Sequence, residues 1–167
     1  AAKVLSRHGI EAPGYTVVSY LTEQGANEPE QYLFEKVGFA KTREIVKKSH
    51  SDGFCWHVRF FKPKTPEEYE VQLDGDGREI GFDVQLAEET AGAFLAKDEA
   101  LQKVHLELDS VYPYLQPYEL ESASEQKRPA RTDWTFVFRS RQFDAADARF
   151  KTNMTVYGDI VSGATWA

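Results

Sequence analysis

Alternating apolar and polar residues mark the strands of this chain. In the stretch WHVRFF, one strand face carries Trp56, Val58 and Phe60, and the other carries His57 and Arg59. The next stretch alternates in the same way, with Tyr69, Val71 and Leu73 opposite Glu68, Glu70 and Gln72. The pattern predicts antiparallel strands that bury one face and leave the other in water.

A second group of strands follows the same rule further along the chain. One strand has Trp134, Phe136 and Phe138 on one face, and the next has Phe150, Thr152, Met154 and Val156 opposite Lys151, Asn153, Thr155 and Tyr157. Glycines in DGDG, residues 74–77, and in YGD, residues 157–159, stand where a hairpin turn needs a positive φ. We expect two hairpins at these turns and a buried Trp134.

Helices are predicted in three segments. The first covers residues 1–7 and ends at Gly9, and another begins with Asp98 as its N-cap. The second of these places Leu101, Val104 and Leu108 on one stripe. Between the first two strands, residues 27–50 form a helical insert that Gly38 is expected to break in two.

The order of these elements predicts an internal repeat. Each half of the chain has a helix followed by about four strands, so we expect an α+β fold built from a duplicated helix plus antiparallel sheet module, with the helices on one face of the sheets. The first repeat would span residues 1–90, including the insert 27–50. The second would span residues 91–167.

Composition limits the kinds of partner. The chain has 167 residues, 41% of them hydrophobic, which is enough for a real core. Its formal charge of -7 disfavours nucleic acid and anionic membranes unless basic residues cluster on one face, and REIVKK is expected to be a solvated helix side. No run is long enough to cross a bilayer and the start lacks an initiator Met, so we expect a soluble fragment of a longer protein.

Motifs for catalysis or metal binding are not evident. The four histidines occur singly, and the one cysteine, Cys55, cannot form an internal disulfide. A calcium loop beginning at Asp74 and Asp76 fails, because Gln85 stands where a bidentate Glu is required. We therefore expect no catalytic residue, no metal site and no cofactor in this chain.

Ligand or peptide contact is the remaining candidate chemistry. His57 and Arg59 lie on the polar face of their strand, while most aromatic residues fall on core faces. Phe61 and Tyr157 are the off-face aromatics. These four residues are the predicted contact residues.

Three segments together resemble a known kind of protein region. They are WHVRFFKPKTPEEYEVQLDGDGREIGF, EETAGAFLAKDEAL and RPARTDWTFVFRSRQFDAADARFKTNMTVYGDIV. The combination resembles the extracytoplasmic region ahead of the catalytic membrane helices in some bacterial intramembrane proteases of the CAAX-processing and bacteriocin-immunity (CPBP) group. The resemblance covers nearly the whole chain and is most specific at residues 56–61 and 131–134. The helix, strands and DGDGRE hairpin are also similar to the PepSY class of small extracytoplasmic modules, here in tandem.

The resemblance implies a role without carrying over any catalytic residue. The Glu-Glu-x-x-x-Arg signature of that protease group has no match, since Glu67 and Glu68 are followed by Gln72 at the arginine position, and Glu88 and Glu89 by Ala93. It implies a non-catalytic sensor, regulatory or substrate-recognition domain, held outside the membrane as part of a membrane-anchored parent. Its partners would be the membrane-embedded remainder of the same chain and peptide or protein substrates, with no nucleic acid.

A second hypothesis is a small-molecule or lipid-binding module with a pocket between helices and sheet. An apolar pocket lined by Phe60, Trp134 and Phe136 would favour it. A filled core with an exposed edge strand would favour peptide recognition instead.

Overall fold

The computed structural model of the chain describes residues 1–24, 28–51 and 53–166. The helices in these ranges are α1 (Ala2–Arg7), α2 (Glu28–Lys48) and α3 (Lys97–Val111). The strands are β1 (Thr16–Gln24), β2 (Gly53–Phe61), β3 (Glu68–Leu73), β4 (Glu79–Gln85), β5 (Tyr118–Arg128), β6 (Arg131–Ser140), β7 (Lys151–Tyr157) and β8 (Ile160–Trp166). Among the helices so described, none is both long and apolar enough to cross a membrane.

All eight strands form one antiparallel sheet in the order β1-β2-β3-β4-β8-β7-β6-β5. The predicted fold class, a duplicated module of a helix plus an antiparallel sheet, is therefore wrong. The two groups of strands, β1 to β4 and β5 to β8, form one sheet because β4 pairs with β8 near Phe82 and Gly163. Alternation predicts strands and their faces, but it carries no signal for a pairing between residues this distant in sequence.

One face of the sheet carries two hydrophobic clusters under the helices. The α1 cluster joins Val4 and Leu5 to Phe60, Tyr69 and Phe82. The α3 cluster contains, among others, Val104, Leu108, Phe136, Phe138 and Met154, and α2 adds Ile45 with Leu33 and Val37 at its border. Phe82, Gly163 and Met154 are successive register partners, so both clusters lie on the same face.

Most local predictions are confirmed. Thr152, Met154 and Val156 are buried, and Gly38 has the non-helical φ of 79° that breaks α2. The turn before β4 closes when Asp74 N–H donates to the Arg78 carbonyl at 2.8 Å, with Gly77 at a φ of 78°. The insert was predicted over residues 27–50, of which residue 27 lies outside the described residues.

Three local predictions need correction. The helix α3 begins at Lys97, and Asp98 lies in its first turn while Glu99 accepts the Ala96 N–H at 2.8 Å. Trp134 is only half-buried. Trp56 is on the helix-bearing face, as predicted, but it is 43% exposed, because the short α1 covers the Phe60 end of β2.

The connection between β4 and α3 is fastened to the β5–β6 turn by a buried arginine. Arg131 is 2% exposed and donates to Asp133 at 2.7 Å and to the carbonyls of Ala87 and Thr90 at 2.7 and 2.8 Å. Trp134 Nε1 donates to the Leu95 carbonyl at 3.0 Å. The predicted boundary between residues 90 and 91 falls in this connection, and the division into two domains stays a prediction.

Candidate functional site

The sheet face opposite the helices carries mostly polar residues, in rows across β1 to β4. One row is formed by the register partners Tyr20, His57 and Gln72. The neighbouring row is Val18, Arg59, Glu70 and Asp83. The strand alternation that buries Phe60 and Val71 on the helix side places these residues together on the open side.

His57 is the centre of this polar network. Its Nδ1 lies 2.7 Å from Glu70 Oε1, and its Nε2 lies 2.9 Å from the Thr22 hydroxyl. A neutral imidazole that donates from Nδ1 to the carboxylate accepts the Thr22 hydroxyl at Nε2. The Tyr20 ring stacks on the imidazole with centroids 4.7 Å apart, and its hydroxyl donates to Glu70 Oε2 at 3.0 Å.

Arg59 and Glu68 form the second part of the network. The guanidinium donates from Nε and Nη2 to the two carboxylate oxygens of Glu68, at 2.6 and 2.9 Å. This hydrogen bonding lowers the pKa of Glu68 from its ordinary value. Arg59 also lies over the Phe61 ring at 5.7 Å from its centroid, so Phe61 is held beside the ion pair.

Asp83 ends the second row at the centre of the sheet. Burial raises the pKa of the Asp83 carboxyl, and the nearby Glu70 carboxylate raises it further. Gln72 donates to Asp83 Oδ2 at 2.8 Å. Asp83 is therefore a partly desolvated carboxylate whose charge is disfavoured by the neighbouring Glu70.

The Thr22, His57 and Glu70 contacts have the connectivity of a hydroxyl, an imidazole and a carboxylate. That connectivity activates nucleophiles in hydrolases, where donors for an oxyanion are also required. Here Glu70 is shared with Tyr20 and Gln72, and one ring face of His57 is covered by Tyr20. The described contacts of the network therefore hold its side chains in place across β1, β2 and β3. The expectation of a non-enzymatic domain stays a proposal.

On the helix-bearing side of the sheet, β1 and β2 expose apolar side chains. Val17 and Leu21 of β1 are 54% and 46% exposed, and Phe54 and Trp56 of β2 are 54% and 43% exposed. Leu21 pairs with Trp56, and Val17 pairs with Phe60, so the four lie on one face. We call Val17, Leu21, Phe54 and Trp56 the margin patch.

The two edge strands of the sheet differ in how they are protected. β5 carries five charged residues among its eleven and has a register shift between Leu120 and Ser122. β1 carries one charged residue, Glu23, among its nine, and its pairing with β2 runs without a shift. Charges and bulges are what normally block an edge from pairing with another chain, so β1 is the unprotected edge.

A group of possible metal ligands lies elsewhere, between α1, β4 and α3. His8, Glu79 and Glu107 bring their ligand atoms within 4.8 Å of one another. Arg7 already bridges the carboxylates, donating to Glu79 at 2.9 Å and to Glu107 at 2.8 Å. The guanidinium supplies the positive charge that a metal would otherwise provide.

The predicted contact residues are only partly brought together. His57, Arg59 and Phe61 lie side by side on β2, whereas Tyr157 ends β7 and is separated from them by β3, β4 and β8. Sequence reasoning missed Thr22 and Tyr20, which reach His57 from β1. The alternation of Glu68, Glu70 and Gln72 pointed to this face, but only the strand register identifies Glu70 as the partner of His57.

Comparison of the chain with protein-family models, curated proteins and solved structures finds no match. The similarity to CPBP-group proteases and PepSY modules therefore stays a prediction from the sequence.

Proposed function

We propose that this chain is a non-catalytic recognition domain that binds an extended polypeptide along the free edge of β1. The observation that carries the proposal is the unprotected edge: nine residues in regular register with β2, one charge, and no second neighbour among the described strands. An extended peptide adds to such an edge through main-chain hydrogen bonds, while alternate side chains contact the two faces.

The two faces beside β1 define the preferred peptide. On the helix-bearing side, the margin patch supplies exposed Leu21 and Trp56 for apolar side chains. On the other side, Glu68, Glu70 and Asp83 outnumber the cation Arg59. A peptide that alternates apolar with basic residues would bury its apolar side chains and place its cations towards the carboxylates.

The cores favour this function over a ligand pocket between helices and sheet. Phe60 is packed in the α1 cluster, and Phe136 is fully buried in the α3 cluster with Trp134 against it. The three aromatic residues whose shared pocket would support small-molecule or lipid binding thus belong to two filled clusters.

The resemblance to CPBP-group regions adds a cellular setting to the proposal. A domain that binds extended segments would present substrates to a membrane-embedded protease, or withhold them, from the extracytoplasmic side. In that setting the membrane-embedded remainder of the parent is the permanent partner, and the polypeptide is the transient one.

The test is selection of random decapeptides by display against the immobilised protein. We expect enriched peptides to alternate apolar and basic residues, and to lose at least tenfold in affinity for Leu21→Lys, because a cation at the edge opposes both pairing and the bound cations. Leu120→Lys on β5 is the matched control, since Leu120 is also an exposed edge leucine, at 38%. Enriched peptides without alternation, or binding lost in Leu120→Lys and kept in Leu21→Lys, would refute the proposal.

A further inference from the structure

The outer surface of α2 carries exposed aromatic side chains at its bend. Phe34 is 50% exposed and Phe39 is 62% exposed, and their rings make an edge-to-face contact across Gly38 with centroids 6.3 Å apart. The inward side of the same helix is already occupied, because Ile45 is buried and Leu33 and Val37 pack on the α3 cluster. The two rings are therefore a separate apolar feature directed at solvent, not a misplaced part of the core.

Positive charge is concentrated beside these rings. Between residues 36 and 48 the chain has five cations and one carboxylate, although the whole chain has a formal charge of -7. Phe39, Arg43 and Lys47 follow one another at helical spacing on one side, with the Arg43 guanidinium 5.6 Å from the Phe39 ring centroid. Within the described part of the chain, Arg43 and Lys47 form no salt bridge, while Lys41 and Lys48 share Glu44 at 3.0 and 2.8 Å. Lys36 lies over the Tyr32 ring instead, 5.2 Å from its centroid.

We propose that α2 is a contact site for an anionic phospholipid bilayer, in which Phe34 and Phe39 enter the interfacial region and Arg43 and Lys47 contact lipid phosphates. Exposed aromatic residues flanked by unpaired cations on one helix are the pattern of helices that lie in the plane of a membrane interface. The net positive charge of residues 36–48 is opposite in sign to that of the whole chain. Attraction to anionic lipid would therefore also orient the domain with α2 towards the bilayer.

The ring geometry favours a bilayer over single-stranded nucleic acid. Base stacking needs open ring faces. Here the Phe39 ring is covered by Arg43, and the two phenylalanine rings meet edge to face. Their exposed edges can still be buried among acyl chains and glycerol groups.

The test is cosedimentation of the purified chain with vesicles of about one third phosphatidylglycerol in phosphatidylcholine, and with vesicles of phosphatidylcholine alone. We expect sedimentation with the anionic vesicles, a decrease at high salt, and little binding to the neutral ones. Arg43→Gln with Lys47→Gln should weaken partitioning by about tenfold or more, at roughly fivefold per cation. Phe34→Ser with Phe39→Ser should abolish it.

The controls keep the same chemistry at other exposed sites. Phe94→Ser removes an aromatic residue that is 66% exposed, and Lys97→Gln with Lys103→Gln removes two exposed cations from α3. Both should sediment like the parent chain, and thermal melts should show that all variants fold. No binding to anionic vesicles, equal binding by the α2 variants, or binding to an oligothymidylate instead of vesicles would each overturn the proposal.

Discussion

Leu21 of β1 and Trp56 of β2 are direct register partners, and both side chains are in solvent, at 46% and 43% exposure. Edge-strand leucines and tryptophans usually contribute to a core when a helix lies above them. Here the six-residue α1 covers the other end of β2, so the pair marks an apolar surface next to an unprotected strand edge. This relationship connects the fold to the proposed polypeptide binding.

The two strand tryptophans should differ in their effect on stability. Trp134→Ala should lower the free energy of unfolding by about 3 kcal/mol, because the half-buried ring packs on Phe136 and donates to the Leu95 carbonyl. Trp56→Ala should cost less than about 1 kcal/mol, since the exposed ring leaves no cavity. Urea denaturation of both variants measures these losses. An equal loss of stability in the two variants would contradict the exposed position of Trp56.

The buried Arg131 should matter far more than a surface arginine. Arg131→Met leaves the Ala87 and Thr90 carbonyls and Asp133 Oδ1 without the donor that Arg131 supplies. The substitution should lower the free energy of unfolding by about 3 kcal/mol. Arg141→Met is the control, because its pair with Glu119 is exposed and should contribute about 0 to 1 kcal/mol. If the two variants melt at the same temperature, Arg131 does not fasten the connection between β4 and α3.

Asp83 should make stability depend on pH. Its folded pKa is raised above that of the unfolded chain, so its contribution to stability is fully present below the unfolded pKa and is lost as pH rises through the folded pKa. Asp83→Asn should therefore raise the melting temperature at pH 7 and have little effect on it near pH 3. A lower stability of the variant at pH 7 would mean that attraction to His57 outweighs burial and Glu70.

His57 should be structural and non-catalytic. His57→Ala removes the contacts to Glu70 and Thr22 and should cost about 1 to 2 kcal/mol. Neither the parent chain nor the variant is expected to release fluorescent peptides from labelled casein. Cleavage by the parent chain that disappears in His57→Ala and in Thr22→Val would contradict the non-enzymatic account and assign these groups to an active site.

Much of the local structure could be predicted from the sequence, whereas the assembly of the sheet could not. Alternation identified the buried faces of β3 and β7, and the glycine at position 38 located the bend in α2, because both signals depend on neighbours in sequence. The pairing of β4 with β8 depends on contacts about 80 residues apart, as in the Ser162 hydroxyl donating to the Phe82 carbonyl.

The same limit applies to the candidate site. His57, Arg59 and Phe61 belong to one strand, so their proximity follows from alternation alone. Tyr20 and Thr22 come from a strand separated from β2 by the whole of α2, and their contact with His57 requires the register of β1 on β2. The exposure of Trp56 also depends on how far the six-residue α1 extends over the sheet, and the alternation of strand residues does not predict that extent.

Amide hydrogen exchange of the protein with and without a selected decapeptide tests the central claim most directly. If the peptide adds to the sheet at β1, the outward-pointing amides of residues 16–24 should exchange more slowly in the complex by tenfold or more, because they become main-chain donors. Amides of β5, the other edge strand, should be unchanged. Slower exchange on β5, or bound peptide with unchanged exchange on β1, would contradict recognition at this edge.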